Sequence, residues 1–340
     1  MMRKCALLIV WCGPALAALI QFGPETLVKA GGADIVVSGY SVPSYADWNN
    51  DGAPDLIIGE GSGGLTPKVR VYLNTGSAAA PAFSNYFFAQ ADGMDLTAPG
   101  SGCMGIFPRT VQWDGDTNKD LLAGQADGTI KVYRNVRDDA APSFDAGAFL
   151  QIGAAGAKTT VDVGDRAAVT LVDWNNDGRL DLLIGSLAGQ VHILLNQSTN
   201  AEPDFISDIL VQDNGGALSV SSGRASPVVF DADFDGKKDL VVGNTEGQIL
   251  CYTNVASDAA PAFAGAVALL SEGAPIDLAG TPRSRPFVCD WNGDAFPDLL
   301  VGAGDGEVHL FLGLPEPAPL LVVLLLALTR AARLRLQGRA

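Results

Sequence analysis

A nine-residue acidic loop running into an apolar strand occurs five times in this 340-residue chain, at intervals of about sixty residues. The copies are Asp47–Asp55, Gln112–Asp120, Asp173–Asp181, Asp231–Asp239 and Asp290–Asp298. Each runs on into Leu-x-x-Gly, ending at Gly59, Gly124, Gly185, Gly243 and Gly302. A long fixed period restricts the chain to repeat architectures, in which one supersecondary unit is copied and stacked.

The loops also locate the chemistry. Side-chain oxygens recur at loop positions 1, 3, 5 and 9: Asp47, Asn49, Asp51 and Asp55, then Gln112, Asp114, Asp116 and Asp120. The later copies carry Asp173, Asn175, Asp177 and Asp181, then Asp231, Asp233, Asp235 and Asp239, then Asp290, Asn292, Asp294 and Asp298. Alternation at 1, 3 and 5 lets a tight turn aim successive side chains at one point. Hard oxygen donors converging there suit Ca²⁺, which takes six to eight of them in flexible geometry. Position 7 (Ala53, Asn118, Arg179, Lys237, Phe296) would add a backbone carbonyl. An EF-hand is excluded, because it needs a bidentate Glu at position 12 followed by a helix; here position 12 is Ile58, Ile184 or Val242 within a strand. Solvated Asp-Gly turns are the plain alternative, and five copies with one oxygen spacing argue against it. Up to five ions are expected, one per repeat. Loops two and five should bind more weakly, since Thr117 and Ala295 stand where a positive φ favours glycine.

The loops with their Asp-Leu-x-x-Gly continuations resemble the FG-GAP/VCBS repeats of calcium-binding β-propellers, such as the integrin α-subunit head and many secreted bacterial proteins. The resemblance covers nearly all the chain between its two ends. It implies that the twenty residues named above are Ca²⁺ ligands, and it implies neither a partner nor an activity.

Each loop is followed by a strand, a Gly-containing hairpin and a second strand, as in Val69–Asn74 and Ile130–Asn135. A Pro-x-Phe triplet (Pro81–Phe83, Pro142–Phe144, Pro203–Phe205, Pro261–Phe263) then opens a third strand, and a fourth leads into the next loop. Alternating β-branched and aromatic residues bounded by glycine support these strands. Four strands per sixty residues make one propeller blade. The last repeat stops after Phe311–Gly313 without its Pro-x-Phe segment, and Phe22–Pro43 near the N-terminus matches that missing piece as it stands at Phe205–Pro227. The expected fold is therefore all-β: a five-bladed β-propeller of four-stranded blades spanning residues 18–313, closed by the N-terminal segment completing the fifth blade.

Residues 1–17 read as a signal peptide, with Arg3 and Lys4, a short apolar stretch and Ala15-Leu-Ala17 for cleavage. Residues 314–340 resemble a PEP-CTERM sorting segment: Pro315-Glu-Pro317, an apolar run and Arg330, Arg333, Arg335 and Arg339. That resemblance implies processing by an exosortase in a bacterium, with a plain membrane anchor as the alternative. Both readings place the protein at the cell surface or beyond it. The whole chain carries −16, and residues 18–317 have 16 basic against 38 acidic residues, or −22. Sixteen of those carboxylates lie in the five loops, so folding and cation binding should be coupled. The same balance excludes nucleic acid as a partner.

Cys5 and Cys12 fall in the leader; Cys103, Cys251 and Cys289 remain, an odd number that makes a disulfide framework unexpected. Trp48, Trp113, Trp174 and Trp291 share loop position 2, where one aromatic per repeat fits inter-blade packing better than a sugar platform. His192 and His309 occupy equivalent strand positions and read as solvent-facing, not ligands. No nucleophile elbow, histidine-based metal cluster or acid/base pair separable from the loops is visible, so the chain reads as not an enzyme. The expected function is that of a monomeric calcium-binding interaction or matrix module recognising an extracellular protein or glycan. The alternative is a calcium-dependent polysaccharide lyase or hydrolase with its site at the central channel. Arg109, Arg166, Arg224, Arg283 and Arg285 are the candidates there.

Overall fold

A computed structural model describes residues 19–101 and 104–315. The expected leader at 1–17, the expected sorting segment at 314–340 apart from its first two residues, and Cys103 lie outside the described residues.

Every acidic loop connects an inner strand to the strand behind it. The inner strands are Ser41–Ala46, Phe107–Val111, Ala168–Val172, Ser226–Phe230 and Arg285–Cys289. Their partners are Asp55–Glu60, Asp120–Gly124, Asp181–Gly185, Asp239–Gly243 and Asp298–Gly302, all fully buried. Each hairpin has one register, in which the ninth loop residue faces the last inner-strand residue: Ala46↔Asp55, Val111↔Asp120, Val172↔Asp181, Phe230↔Asp239 and Cys289↔Asp298. A third strand (Val69–Tyr72, Ile130–Tyr133, Val191–Asn196, Ile249–Tyr252, Val308–Phe311) pairs antiparallel behind it. An outer strand follows in each sheet; in the third it is Phe205–Leu210, and that sheet continues beyond it into Gln151–Ile152 and Thr159–Thr160. In the last sheet that outer strand is Thr26–Leu27, paired with Leu310 and His309, so the chain's first segment closes its last sheet. The whole is an all-β propeller, with no helix among the described residues.

The glycine ending each Leu-x-x-Gly has a structural cause. A Cβ on Gly59, Gly124, Gly185, Gly243 or Gly302 would lie 2.1, 1.8, 2.1, 2.4 or 2.2 Å from a carbonyl oxygen of Ile106, Ala167, Ala225, Ser284 or Ser41 respectively. Each is the backbone entering the next inner strand, so only glycine permits this approach. The last pair, Gly302 with Ser41, closes the ring. Between neighbouring sheets lie the apolar clusters; one joins Trp174, Leu183 and Ile193 of the third sheet to Leu240, Tyr252 and Phe263 of the fourth repeat.

The expected sheet count needs correction. Six sheets have four strands or more, not five. The sixth consists of Ala274–Pro275, Leu270–Ser271, Gln21–Phe22 and Gly313–Leu314, bringing together both ends of the described chain. It arises from small hairpins that periodicity did not reveal. After each outer strand the chain folds back on itself, as at Gln90–Ala91 with Met94–Asp95 and Gln212–Asp213 with Gly216–Ala217. The Pro-x-Phe phenylalanine of the next repeat then pairs in parallel with that hairpin: Phe83 with Ala30, Phe144 with Ala91, Phe205 with Ile152 and Phe263 with Asp213. Phe22 with Ser271 makes the same clasp at the seam, where pairing is long enough to form a sheet of its own.

Candidate metal centre

The five loops share one internal hydrogen-bond scheme. In loops one, three and four the first aspartate accepts from the backbone N–H groups of positions 5 and 6: Asp47 at 3.1 and 3.0 Å, Asp173 at 3.0 and 2.9 Å, Asp231 at 3.1 and 2.9 Å. Asp290 does the same in loop five, from Asp294 and Ala295, both at 3.1 Å. The position-5 carboxylate accepts from the N–H of position 7 in all five, at Asp51, Asp116, Asp177, Asp235 and Asp294. Loop two departs at its first residue, where the Gln112 amide donates to the Thr117 carbonyl at 3.1 Å.

The ninth aspartate is the fixed point. Asp55, Asp120, Asp181, Asp239 and Asp298 are at most 1% exposed. Each accepts one N–H from loop position 2 and one from the end of the third strand; for Asp239 these come from Ala232 at 2.9 Å and Asn254 at 2.7 Å. Burial raises all five carboxyls above the ordinary carboxylate range. Asp239 reaches about 6, burial being the main cause and the charges of Asp233 and Asp231 adding to it. A buried carboxyl raised by like charges is relieved by a cation.

Convergence is tightest in loop four, where Asp231, Asp233 and Asp239 offer ligand oxygens within 4.8 Å of one another. In loop three the Asn175 Oδ1 is buried without a hydrogen-bond partner, an oxygen available to an ion. These residues fit Ca²⁺. Basic groups meanwhile attend the same carboxylates: Lys237 lies 2.5 Å from Asp235, Arg179 pairs with Asp177, and Arg134 lies 3.2 Å from Asp114. In loops one and five an amide takes that place, with Asn49 donating to Asp51 and Asn292 to Asp294, each at 2.9 Å.

The positive φ expected at loop position 6 is present in every copy, and the expectation for the histidines changes. Loop positions 4 and 6 are both left-handed in every copy: Asn50 and Gly52, Gly115 and Thr117, Asn176 and Gly178, Phe234 and Gly236, Gly293 and Ala295. Glycine at position 4 in loops two and five accompanies the non-glycine residue at position 6, a trade visible in the sequence once both positions are known to need positive φ. The histidines are also not solvent-facing: His192 is 8% and His309 3% exposed. His309 stands in a second group, with Asp305 and Glu307, whose ligand atoms lie within 4.8 Å of one another. The Asp-Gly-Glu-Val-His spacing of 305–309 was the signal for it.

On the ring axis a cavity of about 230 Å³ is lined from all five inner strands, including Ser44, Arg109, Thr170, Val229 and Phe287. Arg109 is its charged group, donating to the carbonyl of Pro108 at 2.8 Å and lying over the Phe287 ring at 5.1 Å. Burial lowers its pKa to about 10. Arg166 and Arg285 are not in the cavity but buried between sheets, stacked on Phe107 at 4.9 Å and Tyr40 at 3.5 Å. Cys251 is buried and Cys289 half-buried, both as free thiols.

Residues 173–242, one period running from the third loop into the sheet of the fourth, match the family model described as FG-GAP-like repeat. Integrin alpha-3 of Cricetulus griseus is 28% identical over 168 residues, which is 44% of this chain and 15% of that protein. The chain therefore spans about a seventh of that relative's length. Among solved structures, the α-L-arabinofuranosidase of Podospora anserina in complex with cellotriose aligns over 88% of this chain and 98% of its own, at 12% identity and a TM-score of 0.51. A GH43_1 enzyme of Xanthomonas citri aligns over 84% and 91%, at 15% identity and a TM-score of 0.49. The chain is a β-propeller bearing FG-GAP-like repeat sequence. The expectation that it is not an enzyme is withdrawn on the arabinofuranosidase likeness: a glycosidase is built on this architecture, so a missing sequence motif does not exclude catalysis.

Proposed function

We propose that the protein is a calcium-stabilised propeller at the exterior of a bacterial cell, and that it engages extracellular polysaccharide at its axial cavity. One observation carries the calcium reading: three aspartates of loop four converge on one point, the innermost being buried and raised to about 6. Asp231, Asp233 and Asp239 would hold the ion there, with Asp235 from the same turn; their counterparts would hold it in loops one, three and five. Bound Ca²⁺ supplies positive charge to a domain otherwise strongly self-repelling. It joins the turn to the buried ninth aspartate and so to two strands. The leader-like sequence of residues 1–17 and the PEP-CTERM-like sequence of residues 314–340 support the location, the latter implying an exosortase as processing partner.

A second reading, a polysaccharide-acting enzyme, is favoured by the fold shared with the arabinofuranosidase. Arg109, Ser44 and Thr170 would then meet the substrate. A retaining or inverting glycosidase needs two carboxyl groups flanking the bond, and the described residues lining the cavity include none. Turnover would thus require acid and base from elsewhere on that face, or a lyase chemistry in which Arg109 stabilises a uronate.

The test combines metal analysis of the full chain with thermal unfolding in Ca²⁺ and in EDTA. Retained calcium and a lower melting temperature in EDTA are expected; no calcium and an unchanged melt would overturn the reading. A glycan array followed by product analysis on its hits separates binding from cleavage.

A further inference from the structure

Beyond the loops, the hairpin of the last sheet gathers a different donor set. His309 sits on the strand Val308–Phe311, with a side chain 4% exposed. Its Nδ1 is 2.7 Å from Glu25 Oε1, on the segment that closes the ring. Its Nε2 is buried and makes no hydrogen bond. The nearest carboxylate oxygen, Asp305 Oδ2, is also buried and lies 3.4 Å away. Asp305 is held in place from behind, its Oδ1 accepting the Glu307 N–H at 2.9 Å. The Glu307 carboxylate completes a triangle within 4.8 Å.

These distances have a chemical meaning. Zinc binds imidazole nitrogen and carboxylate oxygen at about 2.0–2.2 Å, so two of its tetrahedral ligands stand roughly 3.3–3.5 Å apart. The gap between Nε2 and Oδ2 is of that size; the same two atoms form an ion pair when the imidazole is protonated. In the neutral imidazole, a carboxylate on the far ring nitrogen selects the tautomer that leaves Nε2 unprotonated, an arrangement common to metal-bound histidines. Calcium is disfavoured, since it wants six to eight oxygens and no nitrogen.

The molecule contains its own control. His192 occupies the same place in the third sheet, with Nδ1 at 2.8 Å from Asp208 and Nε2 likewise buried and unpaired. There Ala188 and Gln190 stand where Asp305 and Glu307 stand. The orienting carboxylate is thus repeated, whereas the ligand pair belongs to the last sheet alone.

We propose that His309 Nε2, Asp305 and Glu307 bind a divalent zinc-type ion, with Glu25 orienting the imidazole and solvent taking the remaining position. Because Glu25 is 284 residues away in sequence, the ion would reinforce the joint that closes the ring. The site is separate from the calcium loops and stands without them.

The experiment uses the full chain saturated with Ca²⁺, titrated with Zn²⁺ against a chromophoric chelator. The wild type should bind one zinc equivalent more than Asp305→Ala/Glu307→Gln, which carries the residues the third sheet already accommodates. His309→Asn should lose the same equivalent, and His192→Asn should keep it. Glu25→Gln should weaken binding by about 10- to 100-fold. Zinc should raise the melting temperature of the wild type and not that of the double variant. Equal zinc stoichiometry in the wild type and the double variant, or loss of the equivalent in His192→Asn alone, would overturn the proposal.

Discussion

At the scale of single residues, the loops combine two roles that the sequence presents as one. Asp233 and Asp239 both read as ligands from spacing, but only Asp239 also ties two backbone segments together through the N–H groups of Ala232 and Asn254. That second role was not legible, because it depends on where the end of the third strand lies relative to the loop. The roles separate by mutation. Asp233→Ala should lower the melting temperature in Ca²⁺ and leave it nearly unchanged in EDTA. Asp239→Ala leaves two buried donors unpaired, at about 1–3 kcal/mol each, and should cost roughly 2–5 kcal/mol in urea unfolding even with EDTA present. Left-handed backbone gives a prediction of opposite sign. Thr117 at φ 76° and Ala295 at φ 68° hold conformations that cost non-glycine residues about 1–2 kcal/mol. Glycine recovers this less its own entropy cost of about 0.5–1 kcal/mol. Thr117→Gly should therefore stabilise by about 0.5–1 kcal/mol, and more than Ala295→Gly does, as a shift of the urea midpoint at constant slope.

At the scale of elements, the Pro-x-Phe triplet proves to be a clasp between sheets. Phe144 meets Trp48 of the preceding sheet edge-on at 5.5 Å, Phe205 meets Trp113 at 6.3 Å and Phe263 meets Trp174 at 6.0 Å. Phe22 has Ala232 in that position and packs in the same cluster as Ile20 and Leu269. The recurrence of tryptophan and phenylalanine was plain in the sequence, and inter-sheet packing of the tryptophans followed from it. The small hairpins that receive the phenylalanines were missed. Their signal was a run of dipeptides able to take two positive φ angles in succession: Gly31-Gly32, Asp92-Gly93, Asn214-Gly215 and Glu272-Gly273. Such pairs turn a two-residue hairpin, but flanking strands of only two residues carry too little alternation to be recognised. Truncating Phe205, 1% exposed, removes an aromatic from both the clasp and the cluster around Trp113. Phe205→Ala should destabilise by about 3–5 kcal/mol, measured by urea unfolding in saturating Ca²⁺.

At the scale of the whole molecule, the closing contact was legible because the missing piece of the last repeat could be read near the other end of the chain. The number of blade-sized sheets was not, since the sixth depends on the seam clasp of Gln21–Phe22 between Leu270–Ser271 and Gly313–Leu314. What the sequence does foretell at this scale is charge: a net −16 with the acids concentrated in loops. Burial raises the carboxyl of each ninth aspartate, Asp239 to about 6 from 3.8. Between those values the folded cation-free protein holds more protons than the unfolded chain. The contribution of these aspartates to stability therefore falls as pH rises from about 4 through 6, and flattens above. Calcium reverses the dependence, because an ion competes with the proton for the same oxygens and binds better once the carboxyl is ionised. Melting temperature measured from pH 4 to 8 should thus decline in EDTA and rise in Ca²⁺, with the two curves meeting at the acid end. In Asp239→Asn the loop-four share of both trends should vanish. Parallel curves for the wild type with and without Ca²⁺ would mean that the buried carboxyls titrate without any ion to answer them.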